Sequence, residues 1–382
     1  MSPPVDREET AATVPQFVMG NVAAAEGALA VGCRFFAGYP ITPSSEVMTT
    51  MARRLPEVGG AFLQMEDEIA SVSAIIGASW AGAKAMTATS GPGFSLMMEG
   101  FGYGVFTETP MVVINVQRAG PCTGQATHIG SGDVLQVKFG SHGDILPIAL
   151  SPWSVQEMYD QTIRAFNLAE RYRVPVFLMA DEGVGHLRES VRYHDRFEVV
   201  DRVRGEPGDQ PFDTEADDGV PPMPVFGDGA RLMITGSTHN GEGFRRIDHP
   251  EIHDRLVRRL AAKISHHADD IVQVERYDLE DAEIAILAYG FTARAAWAAV
   301  RRLRARGVKV GLLRLQTLWP FPEREVAEVG AQVKWMLFPE LNLGQLVIPA
   351  RSATSTEIVS LTQVNGKPIT PTTLVQAVEA RR

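Results

Sequence analysis

The chain has 382 residues, of which 45% are hydrophobic and 21% charged, the balance of a globular protein that can bury sizeable cores. Its net charge of −10, from 36 basic and 46 acidic side chains, argues against non-specific binding to nucleic acid or to an anionic membrane surface. Two cysteines, Cys33 and Cys122, are too few for a disulfide framework or for an all-cysteine iron–sulfur cluster held by this chain alone, and they favour the reducing cytoplasm.

The sequence contains no apolar run near the ~18 residues that a membrane span needs. Residues 1–13 are polar and acidic and lack the apolar centre of a signal peptide. The length predicts two domains.

Residues 31–180 alternate short apolar runs with segments of helical spacing. Continuous apolar strands between helices indicate a parallel sheet covered on both faces, so an α/β domain is predicted. The predicted strands are 33–37, 61–65, 84–89, 111–116 and 174–179, and the predicted helices are 44–54, 68–80 and 94–106.

Residues 201–229 are acidic, rich in proline and glycine and without periodicity, which predicts an exposed excursion. Residues 249–275 have the spacing of a connecting helix. A second α/β pattern follows, with strands at 284–289, 308–313 and 333–338 and helices at 293–306 and 374–379. We therefore expect a first domain over residues 15–190, a linker with a connecting helix over 191–275, and a second domain over 276–382.

Loops after strands are the first places to look for chemistry, because ligands of open parallel sheets bind at the carboxyl ends of the strands. After the first predicted strand, Thr42 suits a helix N-cap and Pro43 the first helical position. Such a helix start with several hydroxyl groups would suit an anion or a carbonyl, although a well-made cap explains the same residues.

Three consecutive acids, Glu66, Asp67 and Glu68, follow the strand at 61–65. The helix macrodipole accounts for Glu66 and Asp67. Glu68 enters a helix so apolar that we expect its carboxyl group to be buried and suited to proton transfer.

Two further loops carry candidate residues. The glycines around Pro92 allow close packing of another group or subunit, but they lack the spacing of a phosphate-binding or dinucleotide-binding loop. Arg118 ends an apolar strand and is a candidate clamp for a carboxylate, through its bidentate guanidinium. Cys122 is either a reactive thiol or, more often in such loops, a small packing residue. The histidine spacing predicts no zinc site.

Five motifs stand in one order along the chain: Tyr39–Ser45, Glu66–Glu68, Thr87–Phe94, Thr107–Pro110 and Gln117–Pro121. Together they resemble the α subunits of the thiamine-diphosphate-dependent 2-oxoacid:ferredoxin oxidoreductases, most of all the 2-oxoglutarate and branched-chain branch. The resemblance covers nearly the whole chain, including Pro339–Gln345. It implies a pyrimidine-binding domain followed by a transketolase-C-like α/β domain.

The resemblance also implies roles for single residues. Glu68 would be the catalytic residue and would hydrogen-bond N1′ of the cofactor's pyrimidine ring. The implied cofactor-binding residues are Glu68, Tyr39, Pro40 and Ile41, and the implied substrate-binding residues are Thr42, Arg118 and Thr127. In relatives a serine or an alanine often stands at the position of Cys122.

The implied reaction is the oxidative decarboxylation of a 2-oxoacid, with 2-oxoglutarate the preferred choice, to acyl-coenzyme A, CO₂ and reduced ferredoxin. A separate β subunit would hold the diphosphate, Mg²⁺ and a [4Fe–4S] cluster, and this chain would hold no metal. Separate γ and ferredoxin-like δ subunits are implied as well. Neither His128 nor Lys138, near Arg118 in sequence, is a compelling second cation for 2-oxoglutarate.

Three alternatives stay open. In the first, the substrate is a branched-chain or aryl 2-oxoacid instead of 2-oxoglutarate. In the second, the chain is a non-catalytic structural subunit of such a complex. A different thiamine-diphosphate enzyme is the third, and the missing Gly-Asp-Gly…Asn metal motif argues against it.

Overall fold

The computed structural model describes residues 14–382, so the prediction about a signal peptide lies outside the described residues. The strands of this part of the chain are β1 (Gln16–Met19), β2 (Phe35–Gly38), β3 (Ala61–Gln64), β4 (Ala85–Thr89), β5 (Met111–Ala119), β6 (Gln125–Ile129), β7 (Ile148–Leu150), β8 (Pro175–Asp181), β9 (Arg188–Val191), β10 (Val274–Tyr277), β11 (Ile284–Ala288), β12 (Val310–Leu315), β13 (Thr317–Trp319), β14 (Trp335–Glu340) and β15 (Ile358–Thr362).

Helices connect most of these strands. They are α1 (Gly20–Ala30), α2 (Ser45–Arg54), α3 (Glu68–Trp80), α4 (Gly91–Leu96), α5 (Met98–Phe106), α6 (Gln136–Phe139), α7 (Val155–Tyr172), α8 (Glu182–His186), α9 (Pro250–Ser265), α10 (Ala268–Ile271), α11 (Gly290–Arg304), α12 (Glu323–Gln332), α13 (Val347–Ala353) and α14 (Pro371–Glu379). Across residues 14–382, none of these helices has both the length and the apolar character to cross a lipid bilayer.

The first sheet has the strand order β13-β7-β8-β5-β4-β2-β3, and β6 is paired with β5 outside this path. Its inner strands are parallel, and β4, β5 and β8 are buried along their whole length. Helices α1 and α7 pack together on one face, while α3 and α5 contribute Val72 and Phe101 to the core on the other. The predicted α/β class is confirmed, because such strands need helices on both faces.

The second sheet lies in the C-terminal region, which we define as residues 274–382. Its order is β10-β12-β11-β14-β15, parallel except for the β10–β12 pair. One strand of this region, β13, instead pairs with β7 of the first sheet. The fully buried Arg314 of β12 also binds Glu157 of α7 and lies 4.1 Å from the ring of Trp153. The two parts of the chain are therefore tied together by a strand that the C-terminal region adds to the first sheet and by a buried ion pair.

Two predicted helices differ in the structure. The predicted helix 94–106 is two helices, α4 and α5, because the chain tightens at Met97, whose N–H is shared by the carbonyls of Gly93 and Phe94. The predicted connecting helix 249–275 ends at Ser265, and its last residues form α10 and the edge strand β10.

The prediction that residues 201–229 form an exposed excursion is wrong in part. The segment has no helix or strand, but Phe212 and Met223 are buried in it. The buried guanidinium of Arg173 donates to the carbonyl oxygens of Pro211, Pro221 and Pro222 at 2.8, 2.9 and 3.0 Å. The guanidinium of Arg173, just after α7, thus provides hydrogen bonds for backbone carbonyl oxygens of this coil. Without them these oxygens would be buried with no partner.

Candidate active site

The loops that follow the first sheet's parallel strands meet at one edge, because β2, β3, β4 and β5 run in the same direction side by side. Glu68 follows β3, Ser90 follows β4 and Arg118 lies at the end of β5. Residues that are up to 50 positions apart in sequence are therefore placed at the same edge of one sheet, where ligands of such folds bind.

Glu68 is the first residue of α3 and is only 4% exposed, so its predicted burial is confirmed. The side chain of Asp67 caps this helix by accepting the N–H of Ala70 at 2.7 Å. Burial raises the pKa of the Glu68 carboxyl, and the neighbouring charge of Asp67 adds to the effect. Within residues 14–382 no other side chain hydrogen-bonds this carboxyl group.

Gly93 leaves the space that the Glu68 carboxyl group occupies. A Cβ atom at position 93 would lie 2.2 Å from Glu68 Oε1 and 2.2 Å from the hydroxyl of Thr89. The glycine-rich start of α4 therefore has a packing role against the buried acid. Glu66, two residues before Glu68, is exposed.

Arg118 is 7% exposed, and its Nη1 donates to the carbonyl oxygen of Thr42 at 2.7 Å. Its buried Nε makes no hydrogen bond with residues 14–382. The guanidinium is thus held by a hydrogen bond at one nitrogen and retains donors for a ligand, which is what a carboxylate clamp requires.

Thr42 contacts Arg118 through its backbone, and its side chain is exposed. The prediction that Thr42 caps α2 is wrong: the helix begins at Ser45, and Ser44 stands at the cap position. Both the hydroxyl and the N–H of Ser44 donate to the Ile41 carbonyl at 2.9 Å, a turn that leaves Thr42 and Pro43 outside the helix.

A cavity of about 530 Å³ opens beside Arg118. Its walls come from α4, from the end of β5 and residues 120–122 after it, from residues 129–136 and from Leu341–Gln345 of the C-terminal region. Arg118 and Asp133 are its charged lining residues in the described part of the chain. The volume suits a small organic acid together with part of a second ligand.

Asn115, Gln117 and Asp133 form a polar network beneath this cavity that the sequence analysis missed. Asn115 Nδ2 donates to Asp133 Oδ2 at 3.0 Å, and the Asp133 N–H donates to Gln117 Oε1 at 3.0 Å. Burial raises the pKa of Asp133, although the hydrogen bond from Asn115 and the charge of Arg118 oppose the change. Asn115 and Gln117 interrupt an otherwise apolar strand, and this interruption is the feature of the sequence from which the network could have been predicted.

Apart from Cys122, the other predicted residues do not line this cavity. Thr127 and His128 are exposed on β6 and do not line the cavity. Lys138 donates its ammonium group to the carbonyl oxygen of Ile145 and does not line the cavity either. Tyr39 is 41% exposed, Pro40 is exposed and Ile41 is half-buried.

Cys122 is exposed and lines the mouth of the cavity with a positive φ of 59°, whereas Cys33 is buried. Across residues 14–382 no three histidine, cysteine or acidic side chains come together as a metal site would require.

Comparisons with known proteins agree with this arrangement. The family described as pyruvate flavodoxin/ferredoxin oxidoreductase, thiamine diphosphate-binding, matches residues 26–259, and the pyruvate:ferredoxin oxidoreductase core domain II matches residues 282–374. The chain is 50% identical over 367 residues to 2-oxoglutarate synthase subunit KorA of Methanocaldococcus jannaschii, covering 95% of this chain and 99% of that one. It is 36% identical to ketoisovalerate oxidoreductase subunit VorB of Methanothermobacter marburgensis, covering 87% of each.

The solved 2-oxoglutarate:ferredoxin oxidoreductase of Magnetococcus marinus, whose structure holds 2-oxoglutarate, coenzyme A and succinyl-CoA, superimposes with a TM-score of 0.92 at 34% identity. The superposition covers 96% of this chain and 65% of that longer chain. A split-gene transketolase, at 13% identity and a TM-score of 0.56, shares the fold alone. The chain belongs to the thiamine-diphosphate-binding pyruvate flavodoxin/ferredoxin oxidoreductase family.

Proposed function

We propose that this chain is the α subunit of a 2-oxoglutarate:ferredoxin oxidoreductase, which converts 2-oxoglutarate and coenzyme A to succinyl-CoA and CO₂ and passes the electrons to ferredoxin. The observation that carries the proposal is the placement of a buried, unpaired Glu68 at the same sheet edge as Arg118. The likeness over nearly the full chain to a 2-oxoglutarate synthase subunit supports the choice of substrate.

The residues present fit thiamine diphosphate. When bound, this cofactor supplies a carbon nucleophile that attacks the keto group of a 2-oxoacid. A buried carboxylic acid without a side-chain partner suits a protonatable ring nitrogen, and we propose that Glu68 shares a proton with N1′ of the pyrimidine ring. The buried hydroxyls of Thr87 and Ser90, which have no partner within residues 14–382, leave further polar groups for a heterocycle. We place Tyr39, Pro40 and Ile41 at the ring's edge.

Arg118 would bind the substrate carboxylate with the donors that Thr42 does not occupy. Its position is independent of the substrate, because β5 and the Thr42 carbonyl already fix the guanidinium. The hydroxyl of Thr42 and, less directly, that of Thr127 would contact the substrate from the exposed side.

The proposed site is completed by other chains. We place the diphosphate, Mg²⁺ and a [4Fe–4S] cluster on a β subunit, and separate γ and ferredoxin-like δ subunits beside it. The free thiols and the requirement for ferredoxin suit the cytoplasm.

A second candidate substrate is a branched-chain 2-oxoacid. The cavity beside Arg118 has no second cation among residues 14–382, so a substrate with one carboxylate would leave no charge unpaired against these walls. The 36% identity to a ketoisovalerate oxidoreductase subunit supports the same choice.

The deciding experiment is coenzyme A-dependent reduction of a viologen dye by the purified complex, compared across 2-oxoacids. The proposal expects the largest kcat/KM for 2-oxoglutarate. A larger kcat/KM for 2-oxoisovalerate would favour the second candidate, and no turnover of any 2-oxoacid would contradict both.

A further inference from the structure

The C-terminal region forms one wall of the Arg118 cavity. Leu341–Gln345 and Val364 line it opposite Gly91 and Pro92 of α4. Most of the polar groups on this wall bind other groups of the protein. Their partners lie in one stretch of the chain that belongs to the predicted first domain, residues 131–135, and we call this stretch the latch segment.

The latch segment is held by the C-terminal region at almost every residue. The Ser131 N–H donates to the Leu341 carbonyl at 3.1 Å, and Asn342 Nδ2 donates to the Ser131 carbonyl at 2.8 Å. Gln345 binds it twice: Nε2 donates to the Gly132 carbonyl at 2.6 Å, and Oε1 accepts the Leu135 N–H at 3.1 Å. The Trp319 indole N–H donates to the Val134 carbonyl at 2.7 Å.

The groups that hold the latch segment are themselves rigid. Glu340 is fully buried and accepts the N–H groups of Leu346 and Val347 at 2.9 and 3.1 Å. Asn342 Nδ2 also contacts Glu340 at 3.2 Å, while its Oδ1 accepts the Gln345 N–H at 2.9 Å. A buried acid thus fixes the loop from which Asn342 and Gln345 reach across to the latch segment.

The middle residue of the latch segment is Asp133, the second charged group of the cavity. Towards β5 it is bound by Asn115 and Gln117, and Arg118 is the charged group that acts on it. The side chains that approach from the C-terminal wall, Asn342 and Gln345, are uncharged, as is the neighbouring start of α4. The negative charge beside Arg118 is therefore placed by contacts from β5 and, through the neighbouring residues of the latch segment, from the C-terminal region.

We propose that Gln345 is a positioning residue for 2-oxoacid binding: from the C-terminal region it fixes the latch segment, and thereby the distance of Asp133 from Arg118. This inference rests on the proposed function, because it takes the ligand of Arg118 to be a 2-oxoacid. Without Gln345, Gly132 and Leu135 lose their contacts with this side chain, so part of the latch segment must be ordered when the substrate binds, which weakens binding without changing the reacting groups.

The test uses the purified complex with its native partner subunits and two substitutions, Gln345→Ala and Asp133→Asn, alone and combined. Gln345→Ala removes two hydrogen bonds and should raise KM for the 2-oxoacid about tenfold with kcat within about twofold. Asp133→Asn should lower KM, because it removes a negative charge next to Arg118. In the Gln345→Ala background this decrease should be smaller, since Asp133 then keeps its contacts with Asn115 and Gln117 but its neighbours Gly132 and Leu135 lose theirs with Gln345.

Gln363→Ala is the matched control, because Gln363 lies in the same region and is not itself a lining residue of the cavity; its side-chain amide donates to the backbone carbonyl of Lys367 at 2.6 Å and not to the latch segment. Equal KM values for Gln345→Ala and Gln363→Ala would overturn the proposal, and so would an Asp133→Asn effect that is unchanged by Gln345→Ala.

Hydrogen exchange separates this inference from the proposed function. The Leu135 amide should exchange faster in Gln345→Ala than in the wild type, whether or not the complex turns over 2-oxoacids. Unchanged exchange would refute the latch itself. A wild-type complex without 2-oxoacid activity but with faster exchange in the variant would contradict only the substrate assignment, and with it the effect on KM.

Discussion

Replacing Glu68 with glutamine tests the proton-transfer role most directly. The amide has nearly the same volume, so it fits the space that Gly93 leaves, but it cannot accept or release a proton. We expect the assembled complex to bind thiamine diphosphate normally, because the diphosphate anchor is placed on the partner subunit. Exchange of the cofactor's C2 proton with solvent should slow by at least about 10²-fold, the low end of general acid–base contributions.

The size of the effect separates catalysis from folding. A slowing of about 10² to 10⁴-fold corresponds to about 3 to 5 kcal/mol of transition-state stabilisation. The stability of the folded chain, in contrast to the exchange rate, should not decrease in Glu68→Gln. Burial raises the pKa of Glu68, so at neutral pH the ionised carboxyl group is less stable in the folded chain than in the unfolded one. The neutral amide removes this cost, and the thermal midpoint should stay the same or rise.

Glu66→Gln is the control, since Glu66 is exposed and lies just before the same helix. Proton exchange followed by NMR should be changed by less than about twofold in this variant. Unchanged exchange in Glu68→Gln, or slower exchange in Glu66→Gln, would refute the assignment. The reading of the chain as a non-catalytic subunit predicts no effect from either substitution.

Three further outcomes are expected. Arg118→Lys should raise KM for the 2-oxoacid at least about tenfold with unchanged cofactor content, because lysine loses the fork of donors; an unaltered KM would remove Arg118 from the site. The isolated chain should bind thiamine diphosphate far more weakly than the complex, and sub-micromolar binding in calorimetry would contradict this. Glu108→Gln should lower the free energy of unfolding by about 3–5 kcal/mol, because it leaves the partly buried Arg259 and the buried Lys263 without their counter-charge. The nearby cations hold the pKa of Glu108 well below its usual range, so acidification below about pH 4.3 should destabilise the wild type more than this variant in calorimetric scans.

The parts of the fold that could be predicted from sequence are those with a clear local pattern. The helix predicted at 68–80 has those bounds in the structure, and the strands around it agree within two residues. Helix α1 shows why others were missed. It is rich in alanine and buried on nearly all sides, so it has no polar face and no periodicity to detect. The domain boundaries at 190 and 275 stay a prediction.

The cavity depends on contacts that no local pattern contains. Asp133 lies 15 residues after Arg118 in a short polar loop, and its bonds to Asn115 and Gln117 place it in the site. Gln345 is more than 200 residues away from the backbone groups that it binds. The helix-cap role of Thr42 was predicted wrongly for a related reason: the turn closed by Ser44 on Ile41 decides where α2 begins.

The contrast between Glu68 and Glu108 shows what distinguishes a functional buried acid from a structural one in this chain. Both follow short loops near the first sheet and both are buried, at 4% and 0% exposure. Glu108 binds Arg259 and Lys263 at 2.5 and 2.7 Å, so it is held as an anion and ties α9 to the end of α5. Glu68 has no cation beside it, and burial therefore makes its proton harder to remove. An acid that is buried without a counter-charge costs stability, and such a cost is expected where the proton itself is used.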